Sequence, residues 1–510
     1  MRPKEAGMTG KLILTFIAMG IGVMVIAVDI AAINVALPSV EKDFRTTIGT
    51  VEWVVNGYVL AWAVLMVTCG RLADMFGRRK VFFVGLVVFG AASLAGALAH
   101  DSGVLIAARV VQGTGAALLW PAILGIVYSS VPDTQKGLAV GLILGAAGVG
   151  NAAGPLLGGF LTELFSWRAV LYFNIPFAFV AGLITYFVVD EKESRETERN
   201  IDYIGILTVS LSLVSLLYAV NQSTSWGWTS GRTLGLLVLF IIFLVIFIMH
   251  ERRTPGALIP EDVMNNRKFM ITGAMMPLAV PAFFSILLFV PQYLEKFHGY
   301  SPVDSGAGLV PMLLSFALTA PVSGTIYNRL GPRWSIFTGM ALLSIGTVLI
   351  LFFGFGDSYA GMVPGLIIFG IGVGFSIPSI TTAAVGAVNE ARASLAGGII
   401  YMFELAGGAL GLAVITTIFT DAVRKDVDLK LAGLGFDLTG GEKAGLLDFI
   451  LGSGSREALV NELGPDKVNT VFLHVRESFV SGLQEGLGVA TVVLVLGAVL
   501  TFIFIEGKKS

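Results

Sequence analysis

The chain alternates from end to end between long apolar runs and short polar punctuation. The runs begin near residues 12, 51, 80, 103, 137, 168, 203, 232, 270, 305, 334, 361, 395 and 482. Each is about as long as the roughly 20 residues a helix needs to cross a hydrocarbon core. Between them stand charged or turn-forming clusters such as "GRRK", "PDTQKG" and "EKESRETERN". The pattern predicts an all-α integral membrane chain of 14 transmembrane helices. The first run follows "MRPKEAGMTGK" and is too long for a signal-peptide core, so it is expected to remain as the first span. An even number of spans puts both termini on one side. With the N-terminus inside, the short inner segments hold far more Lys and Arg than the short outer ones, which predicts a cell-membrane protein with both termini cytoplasmic. The stretch 421–480 is too long to count in that balance and is expected outside, as a partly helical cap.

Composition agrees with this picture. Of 510 residues, 55% are hydrophobic and 13% charged, with mean hydropathy +0.84, against roughly 45–50% and 25% in soluble domains. Net charge is -2 and the cations lie in short loops, which leaves no footprint for nucleic acid. The single cysteine, Cys69, has no disulfide partner, and His100, His250, His298 and His474 have no metal-ligand spacing. No cofactor, metal or enzymatic activity is expected. No G-x-x-x-x-G-K-[ST] phosphate loop is present to bring in ATP.

The chain also repeats itself. "GRLADMFGRR" at 70–79 returns as "GTIYNRLGPR" at 324–333, and "GTGAALLWP" at 113–121 returns as "GIGVGFSIP" at 370–378. "NAAGPLLGG" at 151–159 has a weaker echo in "ELAGGALGL" at 404–412. The offset is nearly constant at roughly 255 residues, more than a six-helix unit needs. The predicted plan is therefore a six-helix bundle over 1–190, a linker with two extra helices over 191–255, and a second six-helix bundle over 256–510 that carries the outer loop.

These motifs resemble those of the major facilitator superfamily, and the 14-helix plan resembles its drug:proton antiporter branch. "GRLADMFGRRK" resembles the family's cytoplasmic gating motif, carried by Gly70, Asp74, Gly77, Arg78 and Arg79. The resemblance implies that Asp74 faces a helix N-terminus of the other half, where the macrodipole favours an anion. The second copy has Asn328 at that position and is expected to latch more weakly. "RVVQGTGAA" resembles the Arg-containing motif, with Arg109, Gln112, Gly113 and Gly115. "GNAAGPLLGG" resembles the antiporter motif, with Gly150, Gly154, Pro155, Gly158 and Gly159 as a close-packed hinge. "VDIAAINVALP", with Asp29, Asn34 and Pro38, resembles the first-helix motif of the 14-helix branch, and "DYIGI" at 202–206 suits the start of its inserted pair.

Ionisable residues inside spans are functional candidates by default, and three lie deep: Asp29, Arg109 and Glu404. At 1.5 Å per residue, Asp29 stands about 25 Å from the inner edge and Arg109 about 9 Å from the outer edge, depths at which the two can pair if their helices are neighbours. Glu404 stands near the midplane, about 14 Å in, without a cationic partner evident in the sequence. A buried, unpaired carboxylate favours its protonated form, so Asp29 and Glu404 are candidate proton sites with Arg109 as the coupling partner. Glu404 is also a candidate counter-charge for cations. Trp62, Trp120, Phe283, Phe316, Phe375, Tyr401 and Phe403 are candidate cavity aromatics, whose π-faces attract lipophilic cations.

The expected function is export of hydrophobic cationic or neutral compounds in exchange for protons, by alternating access, from a monomer in the lipid bilayer. Export of a lipid-like or endogenous metabolite on the same scaffold is the alternative, followed by a non-transporting membrane sensor.

Overall fold

A computed structural model describes residues 10–190, 200–254, 256–356, 358–433, 445–447, 449–450, 460 and 465–507. Among them, 14 helical spans are long and apolar enough to cross a membrane. The first six are α1 (Gly10–Phe44), α2 (Gly49–Phe76), α3 (Arg78–Ala97), α4 (Ser102–Ser129), α5 (Asp133–Leu164) and α6 (Arg168–Val188). Two more, α7 (Tyr203–Ser223) and α8 (Gly231–Glu251), precede α9 (Arg267–His298), α10 (Pro302–Leu330), α11 (Pro332–Gly354), α12 (Tyr359–Val385), α13 (Glu390–Lys430) and α14 (Phe472–Phe504).

Two six-helix bundles follow one packing plan. In the first, α1 packs on α5 and α6, α2 on α4, and α3 on α4 and α6; in the second, α9 packs on α13 and α14, α10 on α12, and α11 on α12 and α14. The bundles meet along two seams, α5 against α10 and α2 against α13. The second helix of each bundle thus crosses the fifth helix of the other.

The sequence repeats fall on equivalent places in this plan. Gly77 (φ 104°) turns the chain from α2 into α3 and Gly331 (φ 86°) turns it from α10 into α11, a backbone region closed to most side chains. Gly113 lets α4 lie on the Tyr58 backbone of α2, and Gly370 lets α12 lie on the Met312 backbone of α10. The seams are equally close. A Cβ on Gly70 would stand 2.6 Å from the Ser394 carbonyl oxygen, and one on Gly324 would overlap the backbone of Gly137.

The α7–α8 hairpin is the insertion. Asp202 caps α7 by accepting the Gly205 N–H at 2.8 Å, and His250 contacts the same carboxylate at 2.8 Å, which closes the base of the hairpin. The α7 helix packs on α13 and α2, and the Trp228 indole N–H donates to Thr417 of α13 at 2.5 Å. Most side chains of α8 are exposed, as a helix on the lipid side requires. Helix continues through Lys430 in α13 and from Phe472 in α14, so helical structure enters the stretch 421–480 from both ends. Most of the rest of that stretch, the N-terminal segment 1–9 and the linker 191–199 lie outside the described residues.

Candidate functional site

Asp29 and Arg109 form an ion pair at 2.6 Å, and both side chains are fully buried. An apolar surround favours such a pair only where its remaining donors and acceptors are largely met, and four helices meet them among the described residues, apart from the Arg109 Nη2. The Asp29 Oδ1 atom accepts from the side-chain amides of Asn174 on α6 at 2.5 Å and of Gln112 on α4 at 3.1 Å. Arg109 donates to the Val54 carbonyl on α2 at 3.0 Å and to Gln112 at 2.7 Å. Its guanidinium lies 4.2 Å from the centre of the Tyr58 ring, a favourable cation–π distance. Ser93 on α3 accepts from Asn174 at 2.9 Å and from Gln112 at 3.3 Å, and donates to the Leu171 carbonyl on α6 at 2.9 Å. The charges are therefore held at the centre of the first bundle by α1, α2, α3, α4 and α6.

The remaining helix of that bundle, α5, runs beside this network. A Cβ on Gly150, Gly154 or Gly158 would press on Met24, Ala31 or Ala32 of α1, which bracket Asp29. This spacing of four residues makes one smooth face that brings α5 against the α1 backbone. Pro155 and Gly159 lie on the other face, against Gly306 and Val303 of α10 in the second bundle. The antiporter-like motif therefore touches the helix of the buried carboxylate on one side and the opposite bundle on the other.

At the α2–α13 seam, Asp74 accepts the backbone N–H groups of Ser394 (3.2 Å) and Leu395 (2.8 Å) at the start of α13. These groups have no partner within the helix, and an anion there also meets the positive end of the helix dipole. Arg78 pairs with Asp74 at 3.0 Å and donates to the carbonyls of Gly125 (3.0 Å) and Glu390 (2.6 Å). Lys136, at the start of α5, reaches the Glu390 carboxylate at 3.0 Å. Gly70, Asp74, Gly77 and Arg78 thus belong to a closed contact between the bundles. Arg79 does not join it: one helical position on, it points to the opposite side and donates to the Tyr186 carbonyl of α6 at 2.9 Å.

The aromatic candidates divide in two. Trp62, Trp120 and Tyr401 meet between the bundles, with ring centres 5.6 Å (Trp62–Trp120), 5.0 Å (Trp62–Tyr401) and 4.3 Å (Trp120–Tyr401) apart. Tyr58 adjoins Trp62 at 5.8 Å, which connects this cluster to Arg109. Glu404 is half-buried one turn beyond Tyr401 and has no ion-pair or hydrogen-bond partner among the described residues. Phe283 packs on Phe284, Phe316 against Gly148, and Phe403 against Gly273, while Phe375 stands half-buried on α12. Among the described residues, none of these four rings makes a ring contact with the cluster.

The sequence model of the Major Facilitator Superfamily matches residues 19–412. The chain belongs to the major facilitator superfamily. Within it, the chain is 30% identical over 502 residues to the tetracenomycin C resistance and export protein of Streptomyces glaucescens, covering 98% of this chain and 92% of that protein. It is also 30% identical to the multidrug resistance protein Stp of Mycobacterium tuberculosis, covering 98% and 91%. The crystal structure of the human organic anion transporter MFSD10 has a similar superfamily fold, with a TM-score of 0.60 at 12% identity over 96% of this chain and 98% of that one. Multidrug and antibiotic resistance transporters of the superfamily are thus relatives along nearly the whole sequence.

Set on the superfamily fold, two site residues stand out that the sequence did not announce. Ser93 and Asn174 are fully buried: Asn174 donates to Asp29, and Ser93 accepts from the Asn174 and Gln112 amides that reach it. A serine or an asparagine in a membrane helix carries little burial penalty beside a charge, so neither breaks its apolar run conspicuously. The available signal was Asn174 in "LYFNIPF", a lone amide in an apolar segment.

Proposed function

We propose that this chain is a proton-driven exporter of hydrophobic cationic or neutral compounds, working as a monomer in the cytoplasmic membrane with both termini and the Asp74 contact on the cytoplasmic side. The observation that carries the reading is the buried Asp29–Arg109 pair beside the α5 hinge face. Paired with Arg109, Asp29 stays ionised; parted from it in an apolar surround, the carboxylate takes up a proton. Rocking of one bundle against the other changes the packing of α5 on α1, and so makes protonation depend on conformation. That dependence is the differential affinity for two states which coupling requires.

The cycle follows from these parts. With the Asp74 contact open, substrate enters from the cytoplasmic side and meets Glu404 and the Trp62–Trp120–Tyr401 cluster. Closing that contact and opening the outer side releases substrate outward while a proton enters at Asp29. The proton leaves inward as the Arg109 pair forms again. The resistance and export functions named for the two bacterial relatives support this direction.

Substrate-induced proton release from the purified protein in weak buffer tests the reading, together with uphill substrate movement in proteoliposomes. Wild type should release protons and concentrate substrate, and Asp29→Asn should do neither while still binding substrate. Undiminished proton release and uphill transport by Asp29→Asn would place the coupling site elsewhere.

A further inference from the structure

Trp62 and Trp120 are 4% and 3% exposed, yet the Nε1 of each is buried without a hydrogen-bond partner among the described residues. Two other indoles are paired: the buried Trp167 donates to Asp43 at 3.0 Å and the half-buried Trp228 to Thr417 at 2.5 Å. An unpaired buried donor is destabilising, and its presence in a native fold asks what meets it. Here two such donors occur on rings that touch each other and Tyr401. Glu404 lies three residues from Tyr401, on the same side of α13, and it too has no partner among the described residues. The unmet groups here include two indole N–H donors, the Tyr58 hydroxyl beside Trp62 and one carboxylate, contributed by α2 and α4 of one bundle and α13 of the other.

We propose that Trp62, Trp120, Tyr401 and Glu404 form a substrate subsite for planar aromatic compounds that carry an oxygen acceptor, such as a ring carbonyl, together with a basic nitrogen. The flat rings supply stacking surface, the indole N–H groups bind the oxygen, and Glu404 binds the ammonium. Tyr401 packs on both tryptophans in this conformation, so it occupies the place a flat ligand would take and moves aside with the second bundle as the seam opens. Water can meet the donors in the open state and leave when the ligand's oxygen replaces it. This inference rests on the exporter reading and narrows it from hydrophobic cations to those with an acceptor on the ring.

The test is calorimetric binding of two matched probes to the purified protein: an aminoalkyl anthraquinone and the aminoalkyl anthracene with the same side chain. Wild type should bind the quinone about tenfold more tightly, the effect of a well-placed hydrogen bond. The Trp62→Phe and Trp120→Phe variants keep a ring and lose the N–H. Together they should bring the ratio to about one by weakening the quinone alone, while Glu404→Gln should weaken both probes. Equal binding of the two probes by wild type overturns the subsite, and that measurement needs no variant to fold. So does an unchanged ratio in the double phenylalanine variant, whose retained anthracene binding shows it is intact. Proteoliposomes under an imposed proton gradient separate this from the exporter reading. Uphill transport without a quinone preference leaves the exporter and removes the subsite; a quinone preference without uphill transport does the reverse.

Discussion

The Asp74 carboxylate of the first bundle accepts the Leu395 N–H at 2.8 Å, so the first turn of α13 in the second bundle is capped by a side chain from across the seam. The neutral variant Asp74→Asn leaves Arg78 buried without its ion-pair partner, a change that typically costs about 3–5 kcal/mol. Because the contact exists only while this end of the seam is closed, much of the loss should fall on the closed state. The native Cys69 thiol, buried next to Gly70 at the crossing, reports on it. Alkylation of Cys69 by a maleimide should be at least tenfold faster in Asp74→Asn than in wild type. An unchanged rate would mean that the capping contact does not hold the seam.

Backbone contact at the other seam gives a steric prediction. A methyl group on Gly324 has no room beside Gly137, whereas one on Gly90 of α3 meets nothing within 4 Å. Gly324→Ala should therefore reduce transport at least tenfold and lower the thermal midpoint, since overpacking typically costs about 1–3 kcal/mol. Gly90→Ala should match wild type in both assays. Equal transport by the two variants would show that the α5–α10 seam tolerates separation.

The Asp29–Arg109 pair allows stability and coupling to be told apart. Asp29→Asn leaves the guanidinium buried without a counter-charge and should lower stability by about 3–5 kcal/mol. Adding Arg109→Gln removes the stranded charge and should recover most of that loss in a thermal melt. Proton release should stay absent in both variants. A double variant as unstable as the single one would show that the Arg109 contacts with Val54 and Gln112 matter more than charge balance.

A milder effect is expected where the insertion meets the second bundle. Thr417→Val removes the acceptor of the Trp228 indole, a single hydrogen bond of about 1 kcal/mol. Stability should fall by about that amount while transport remains within twofold, because the bond lies outside both seams. A transport loss beyond tenfold would give the hairpin a part in the cycle that its position does not suggest.

What could be read from the chain follows from how strongly each residue departs from its surroundings. The 14 spans were legible because apolar runs of membrane length have few other uses, and Asp29, Arg109 and Glu404 because a charge in such a run is conspicuous. The repeat was legible because close helix crossings demand glycine at equivalent positions, as Gly113 and Gly370 show. Asn174, which donates to Asp29, and Ser93, which accepts from Asn174, were not, since they come from α6 and α3 and only bundle packing brings them to α1. Arg79 was misleading for a related reason: it shares a motif with Arg78, but the helix turns it toward α6 instead of the seam. Likewise, the aromatic residues gave no sign of which rings would meet, because only packing brings α2, α4 and α13 together where Trp62, Trp120 and Tyr401 stand, while Phe316 faces α5 at the other seam.

Glu390 takes part in the closure of both seams at once. Its backbone carbonyl receives Arg78 at the α2–α13 seam, and its carboxylate receives Lys136 from α5, whose next residue, Gly137, touches α10 at the other seam. Neither seam can part at this end without drawing on the same residue. In a carrier built on this plan, that shared residue couples the two seams, so a movement that strains one bears on the other.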